Sequence, residues 1–415
     1  MTQSTTSSAQ PCFHSALVRR RNLLDPHISE VITVQVDDDS ALLAAMLSDL
    51  ETAPEEYRPT NYWQVHERRF LPELQRLGLR DFRRRRNSVL GSFGATDPEP
   101  LQLDFFHSVL FNNPVTRLLP FHERVLHFFN RLGHVRPLTQ QTLRRCMAIA
   151  PVRTFDYYIV SPADLRQMSY DYVRQQGELA GARPIHAFEA SLVGNPADVF
   201  AMEGRWYTMA SLFYYLHYVY CSRFLDFGGV RSYAELGSGM GKQVEVLKKL
   251  HPEICFLLFD IPPQLYVCER YLSTVFSGEV VSYERTRTWT EPPQPEPGKI
   301  FIFGSWQFPI LASAQIDLFW NAASFQEMEP DVVGNYLRYV NQCAATVFLH
   351  EFMQGKEIAR RKGLAGVLKP TTLEHYRRGL SNFELVDLAP SRKPAGHPLP
   401  HHSDSFWRRK SVSVP

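Results

Sequence analysis

The segment that most constrains the fold is a glycine-rich turn between an apolar run and a helical pattern. Glu235 lies near the end of the run Ser232–Leu236, and glycines occupy alternate positions from Gly237 to Gly241 before a helical pattern begins at Lys242. Glycine lets the backbone turn sharply and lets a ligand approach where a Cβ atom would collide with it. The free amide groups at the start of the helix then favour a carboxylate or a phosphate. This turn therefore predicts a cofactor-binding loop.

After Gly229 the chain alternates short apolar runs with helical patterns, which is typical of βαβ units and a parallel sheet. The predicted strands are Ser232–Leu236, Cys255–Asp260, Val280–Tyr283, Lys299–Phe303, Ile316–Asn321, Thr346–Glu351, Phe383–Leu388 and Ser405–Arg409. The predicted helices are Lys242–Leu250, Pro263–Phe276, Pro330–Cys343 and Thr372–Gly379. The fold class is therefore expected to be α/β.

A second acidic residue, Asp260, ends the next predicted strand. Its carboxylate is suited to accept hydrogen bonds from both hydroxyls of a ribose. A dinucleotide-binding loop has the spacing Gly-x-Gly-x-x-Gly, which would place the third glycine at position 242. Lys242 stands there instead, and the third glycine comes one residue earlier. This spacing disfavours an NAD-binding oxidoreductase.

The pattern Glu-x-Gly-x-Gly-x-Gly over residues 235–241 resembles motif I of class I S-adenosylmethionine-dependent methyltransferases. This resemblance implies a Rossmann-like, seven-stranded domain with S-adenosylmethionine as cofactor, and it implies that Glu235 helps to hold the amino group of that cofactor. The sequence Asp260-Ile261-Pro262 resembles the ribose-binding turn of small-molecule O-methyltransferases. The candidate cofactor-binding residues are Glu235, Gly237, Ser238, Gly239, Gly241, Asp260, Ile261 and Asn321.

Three further segments are similar to the sugar O-methyltransferase family of natural-product and glycan pathways. They are Leu192–Pro196, Arg205–Thr208 and Asp317–Met328, and the resemblance extends over roughly residues 155–410. Many members of that family have Glu-Ile-Gly-Gly-Gly-Tyr-Gly as motif I, whereas this chain has Ser238 and Met240 at two of those positions. These two differences do not affect the expected cofactor-binding fold, but the family resemblance does not identify the molecule that accepts the methyl group.

Length, charge and cysteine pattern limit the remaining classes. A chain of 415 residues is expected to form two or three domains, and its net charge of +2 argues against nucleic acid or a membrane as an electrostatic partner. The six cysteines form no Cys-x-x-Cys pair, which indicates a reducing compartment. Neither an apolar leader nor a run of roughly 20 apolar residues is visible, so we expect a soluble cytoplasmic protein.

We divide the chain into a tail with short elements (1–55), a mainly helical domain (56–225) and a methyltransferase domain (226–415). A helical pattern at 39–50 belongs to the first segment. Those at 62–86 and 101–150 are the basis of the second domain, which is expected to serve either for dimerisation or as a lid over the acceptor. A homodimer is therefore one of two alternatives.

Two segments of the first half have open interpretations. The run Arg83–Arg86 could bind phosphate or an acidic partner, although a solvated helix face is the preferred interpretation. The aromatic segment Met209–Phe224 is interpreted as a helix buried between domains, and an aromatic-walled substrate pocket is the alternative.

Transfer of a methyl group to a hydroxyl calls for a general base or a metal ion. Glu327 and His350 follow two predicted strands at the edge where such groups lie, and they are the candidate catalytic residues. Capping of a helix is the alternative role for Glu327, and a hydrogen-bonded strand-end histidine is the alternative for His350. No metal site is predicted, because the cluster of histidines and an aspartate before the last strand matches no ligand spacing; it comprises His397, His401, His402 and Asp404.

The leading hypothesis is therefore an enzyme that methylates a hydroxyl of a sugar or another small metabolite. Methylation at carbon or nitrogen is the first alternative, because it needs no strong base. The second is a scaffold protein that keeps the fold without catalysis.

Overall fold

A mainly parallel eight-stranded sheet lies at the centre of the fold in this computed structural model, which describes residues 35–84, 162–196, 198–396 and 398–411. The strands in chain order are β1 (Phe200–Met202), β2 (Arg205–Tyr207), β3 (Ser232–Leu236), β4 (Cys255–Asp260), β5 (Val280–Val281), β6 (Ile300–Gly304), β7 (Ile316–Ala322), β8 (Ala344–Phe352), β9 (Phe383–Arg392) and β10 (Pro398–Arg409). The first two form a separate antiparallel hairpin, and the other eight form the sheet.

The order of the strands in the sheet is β5-β6-β4-β3-β7-β8-β10-β9. All pairs are parallel except those of β10, which runs antiparallel to both β8 and β9. The chain moves from β3 to β4 on one side and later returns to β7 on the other side, so the strand order reverses at β3. In an open parallel sheet a ligand binds outside the carboxyl ends of the strands at such a point.

The helices lie between these strands and before them. In chain order they are α1 (Ser40–Thr52), α2 (Asn61–Leu77), α3 (Pro162–Leu179), α4 (Met209–Ser222), α5 (Lys242–Leu250), α6 (Pro262–Val275), α7 (Tyr283–Thr286), α8 (Pro330–Cys343) and α9 (Leu373–Gly379). Short 3₁₀ segments occur at Glu55–Tyr57, Phe82–Arg84, Ile185–Ala187, Ser305–Ser313 and Phe325–Glu327. Among the described residues no helix is long and apolar enough to cross a membrane.

The α/β fold expected from the sequence is confirmed. The bounds of β3, β4, α5 and α8 agree with the prediction, and the other predicted elements are displaced at their ends. The sheet has one strand more than the seven that the family resemblance implies, because the two-residue strand β5 extends its edge beyond β6. Strands such as β4 are buried along their whole length, which explains their continuous apolar sequence.

The expected division of the chain at residue 225 stays a prediction. The described residues from 35 to 84 and from 170 onwards belong to one compact unit. Within this unit α1 packs on α6, and Asp49 of α1 accepts hydrogen bonds from Arg287 at 2.6 and 2.9 Å. The predicted helical stripe at 101–150 and the N-terminal tail lie outside the described residues.

Two expectations about charged segments are corrected. Arg83 is buried, not on a solvated helix face, and its guanidinium donates to the carbonyls of Ser191 and Val193 and to the Tyr271 hydroxyl. These acceptors lie more than 100 residues away in sequence. The run Arg83–Arg86 alone therefore could not indicate that Arg83 is buried. The histidine-rich segment, expected to precede the last strand, belongs to β10, and its first member His397 lies outside the described residues.

Candidate cofactor and acceptor site

The loop after β3 owes its shape to three glycines in the left-handed region of backbone conformation. Gly237, Gly239 and Gly241 have φ values of 80°, 57° and 79°. A Cβ atom on Gly237 would lie 2.3 Å from Oγ of Ser324, and one on Gly241 would lie 2.7 Å from Cδ1 of Leu272. A Cβ atom on Gly239 would meet nothing within 4 Å. The outer two glycines therefore permit close packing, whereas the middle one leaves space beside the loop.

Asp260 is attached to this loop by hydrogen bonds. Its Oδ2 accepts from the amide of Gly239 and its Oδ1 from the amide of Ile261, each at 2.8 Å. Burial raises the pKa of Asp260 to about 7, and the two amide donors act in the opposite direction. Each oxygen keeps a lone pair that could accept from a ligand.

Glu235 is a second buried carboxylate at the same loop. Its Oε2 accepts a hydrogen bond of 2.9 Å from the hydroxyl of Tyr233. Burial raises the pKa of Glu235 to about 8, and the charge of Asp260 acts in the same direction. Glu235 and Asp260 are therefore both hard to ionise. A ligand that is cationic or donates hydrogen bonds would stabilise the ionised form of each.

These groups face a cavity of about 260 Å³ outside the carboxyl end of β3, close to the lower end of the size of small-molecule sites, roughly 300 Å³. Its lining includes residues from the glycine loop, from the ends of the central strands, from α4 and from the segment that begins α2. They are Tyr57, Arg58, Pro59, Thr60, Tyr62, Trp63, His66, Tyr214, Glu235, Leu236, Gly237, Ser238, Gly239, Met240, Lys242, Gln243, Asp260, Ile261, Gln264, Ser305, Ala322, Ala323, Ser324, Glu327, Met328, Val332 and Tyr336.

Helix α2 supplies an aromatic wall at this cavity. The rings of Tyr62 and His66 are 4.4 Å apart, and that of Trp63 is 5.8 Å from Tyr62 and 5.7 Å from His66. The first residue of α2, Asn61, is buried, and its side chain bonds to the carbonyls of Leu364 and Gly366 and to the amide of Gly363. These bonds hold the start of the helix against a loop that lies 300 residues later in the chain.

Glu327 faces the same wall and is paired with a lysine. Its Oε1 lies 2.5 Å from Nζ of Lys356, which also lies 4.1 Å from the centre of the Tyr62 ring. Burial raises the pKa of Glu327, while Lys356 opposes that shift. Burial and the charges of Lys356 and Arg69 lower the pKa of His66, so its imidazole is neutral at neutral pH. The cavity therefore presents the imidazole of His66 as a proton acceptor and the carboxylate of Glu327 as a hydrogen-bond acceptor.

Most of the candidate cofactor residues line the cavity, and two of them do not. Gly241 immediately precedes α5, and a Cβ atom there would collide with the side chains of Leu272 and Cys268. Asn321 is buried beneath the loop, donating to the carbonyl of Leu236 at 2.8 Å and accepting from the amide of Phe325 at 3.0 Å. Both residues therefore hold the loop in shape and do not face the cavity.

Of the two catalytic candidates, the structure brings only Glu327 to the cavity. His350 lies on β8 with 2% of its surface exposed, and its Nδ1 is 2.6 Å from Oδ1 of Asp404 on β10. The alternative role, a hydrogen-bonded histidine within the sheet, agrees with this position. Asp404 lies opposite His350 because β10 pairs with β8 in the sheet. The residues at the end of a strand do not indicate which other strand will pair with it.

The sequence does not indicate a site role for the cavity residues Tyr62 and His66, or for Lys356, which pairs with Glu327. Trp63 was identified only as part of an amphipathic helical pattern. The aromatic density of that segment was the one available signal, since nothing in its spacing indicates that α2 reaches the end of β3. Tyr214 is different, because an aromatic-walled pocket was an open alternative for α4, and it does line the cavity.

No family model and no curated protein sequence matches the chain. Solved structures that it resembles include methyltransferase CalO6, at 16% identity over 44% of this chain and 58% of that chain with a TM-score of 0.30. They also include a SAM-dependent methyltransferase from Leishmania major (11% identity, 62% and 89% coverage, TM-score 0.33) and magnesium protoporphyrin IX methyltransferase from Synechocystis PCC 6803 (9%, 60% and 98%, 0.31). The chain spans less than two thirds of the length of CalO6. At these TM-scores the likeness carries no argument about activity.

Proposed function

We propose that the protein is an S-adenosylmethionine-dependent methyltransferase that acts on a hydroxyl group of a sugar or another small natural-product molecule. The observation that carries this proposal is the composition of one cavity. Two buried carboxylates, Glu235 and Asp260, lie at the glycine loop, and a neutral His66 and Glu327 line the same cavity.

The residues at the loop fit S-adenosylmethionine. The free lone pairs of Asp260 suit two ribose hydroxyls, the carboxylate of Glu235 suits an amino group, and Gly239 leaves open space beside the loop. The cofactor is cationic at its sulfonium, and that charge would favour ionisation of both buried carboxylates. When bound, the cofactor supplies an electrophilic methyl group.

The chain's own residues would then orient the acceptor and receive its proton. In this proposal Glu327 accepts a hydrogen bond from the acceptor hydroxyl, and the charge of Lys356 favours the ionised form of Glu327. His66 takes the proton, because its lowered pKa leaves the ring neutral at physiological pH. The aromatic wall of Tyr62 and Trp63 offers a flat apolar surface to a ring-shaped molecule and excludes water from the reacting atoms.

The first test is isothermal titration calorimetry of the purified chain with S-adenosylmethionine, S-adenosylhomocysteine and NAD. We expect binding of the first two at micromolar concentrations and weaker binding of NAD. Folded protein that binds neither of the first two would overturn the proposal, and tighter binding of NAD would favour an oxidoreductase.

The second test separates the kinds of methyl transfer. Release of S-adenosylhomocysteine is measured with sugars, phenols and amines as acceptors, in wild type and in Glu327→Gln and His66→Ala variants. Hydroxyl methylation requires loss of turnover in His66→Ala. Undiminished turnover in both variants would favour transfer to carbon or nitrogen, and cofactor binding without any transfer would favour the scaffold alternative.

A further inference from the structure

We infer that His217, His350 and Asp404 form a binding site for a divalent transition-metal ion of the zinc class, separate from the cofactor cavity. The three residues come from α4, β8 and β10, and one ligand atom of each lies within 4.8 Å of the other two. The prediction of no metal site considered only the histidines near the C-terminus. It could not include His217, which lies far away in sequence.

Burial supports a site at this position. His217, His350 and Asp404 are 1%, 2% and 7% exposed, so water reaches them poorly. Neither ring nitrogen of His217 makes a hydrogen bond of normal geometry, although the Gln243 side chain is close to the ring. A buried polar group without a partner is costly, and an unpaired histidine facing a second histidine and a carboxylate is a recognisable ligand arrangement.

The geometry lies near that of a bound ion. Zinc binds histidine nitrogen at about 2.0–2.1 Å and carboxylate oxygen at about 2.0–2.2 Å, so two tetrahedral ligand atoms are roughly 3.4 Å apart. The ring centres of His217 and His350 are 4.5 Å apart, and Nδ1 of His350 lies 2.6 Å from Oδ1 of Asp404. Widening that hydrogen bond by less than 1 Å, with rotation of the His217 ring, would admit an ion between the three groups.

The ligand set selects the class of ion. Two imidazoles and one carboxylate suit zinc, cobalt, nickel or ferrous iron, whereas magnesium and calcium require oxygen ligands. The ion would connect α4 to the antiparallel pair β8 and β10. Tyr214 on the same helix lines the cofactor cavity, so the ion would also hold that wall in place.

The test begins with the full chain purified without chelator, its metal content measured by mass spectrometry. The chain is then depleted and titrated with zinc and with cobalt, whose visible absorption reports histidine and carboxylate coordination. We expect one equivalent of ion per chain and a melting temperature that falls by several degrees after depletion. Wild-type protein that binds neither ion at millimolar concentration would overturn the inference.

Variants assign the site. His217→Gln and the near-isosteric Asp404→Asn should each weaken zinc binding by at least tenfold. The control His251→Gln removes another buried histidine, which pairs with the Tyr218 hydroxyl at 3.0 Å, and should leave zinc binding unchanged. Zinc affinity that stays at the wild-type value in Asp404→Asn would contradict the assignment. Calorimetry with S-adenosylhomocysteine on the depleted chain keeps this result separate from the proposed function.

Discussion

The two ends of the cavity differ in how far apart in sequence their residues lie. The end where we propose that the methyl donor binds, the donor end, consists of the loop 235–241 and Asp260, which belong to one βαβ unit. The end proposed for the methyl acceptor, the acceptor end, consists of Tyr62, Trp63 and His66 on α2, together with Glu327 and its partner Lys356. A local motif is enough to form the first, whereas the second exists only because α2 is held against a distant loop. Substitutions at the acceptor end should therefore leave the affinity for S-adenosylmethionine unchanged. Each of the following experiments tests whether the two ends act independently.

The largest effect is expected from His66→Ala. Loss of a general base typically lowers turnover by about 10²–10⁴-fold, and we expect at least a 100-fold fall in kcat with unchanged affinity for S-adenosylmethionine. Burial and the charges of Lys356 and Arg69 lower the pKa of His66, so the wild-type rate should be insensitive to pH near 8 and should fall in acid at a lower pH than for an ordinary histidine. Stopped or coupled assays across pH measure this. The control is His186→Ala, an exposed histidine, and an equal loss there would contradict the assignment.

Asp260→Ala, unlike His66→Ala, should lower the affinity for S-adenosylmethionine. Two hydrogen bonds to a charged group are each worth about 1.5–3 kcal/mol, so we expect affinity for S-adenosylmethionine to fall by at least about 100-fold. Calorimetry measures the change, and circular dichroism checks folding. Glu253→Ala, which removes an exposed carboxylate, is the matched control. An affinity within threefold of wild type would show that Asp260 does not contact the cofactor.

Two glycines of the loop should separate stability from binding. Gly241→Ala places a Cβ atom 2.7 Å from Leu272 in a left-handed backbone, and we expect the free energy of unfolding to fall by about 2–3 kcal/mol. Gly239→Ala meets no neighbour, so about 1 kcal/mol is expected there, with the larger loss in cofactor affinity. Urea unfolding and calorimetry measure the two quantities. The reverse ranking of the two variants in either measurement would contradict the roles given to these glycines.

Glu235→Gln should give the smallest change in binding, a weakening of about tenfold above pH 8. Its effect on stability has a definite sign. The folded chain raises the pKa of Glu235 from 4.5 to about 8, so its contribution to stability is fully present below pH 4.5 and is lost as the pH rises through 8. The variant should therefore be more stable than wild type at pH 9, by on the order of 2–4 kcal/mol, and nearly equal at pH 4.5. Thermal unfolding at the two pH values tests this. Equal stability of the variant and the wild type at pH 9 would mean that burial does not raise the pKa of Glu235.

Local patterns predicted much of the donor end. The strand before the loop, the left-handed glycines and the acidic end of β4 follow from residues that are near one another in the chain. Local patterns could not indicate where the side chains of Asn321 and His350 lie. Both lie on central strands, but Asn321 points beneath the loop and His350 towards β10, and side-chain direction there depends on neighbouring strands. Arg83 was misjudged for the same reason, since its acceptors belong to other segments.

The sequence by itself determined the α/β class, most of the strands and helices after Gly229 and the loop that follows β3, because hydrophobic period and glycine conformation act over short stretches of chain. The tertiary structure alone decided which side chains form the acceptor wall, and it brought His217 beside His350 and Asp404. Those arrangements depend on contacts between residues up to 300 positions apart, such as the bonds of Asn61 to Leu364 and Gly366. Such contacts form only when separate elements pack around one core, and no local pattern contains them.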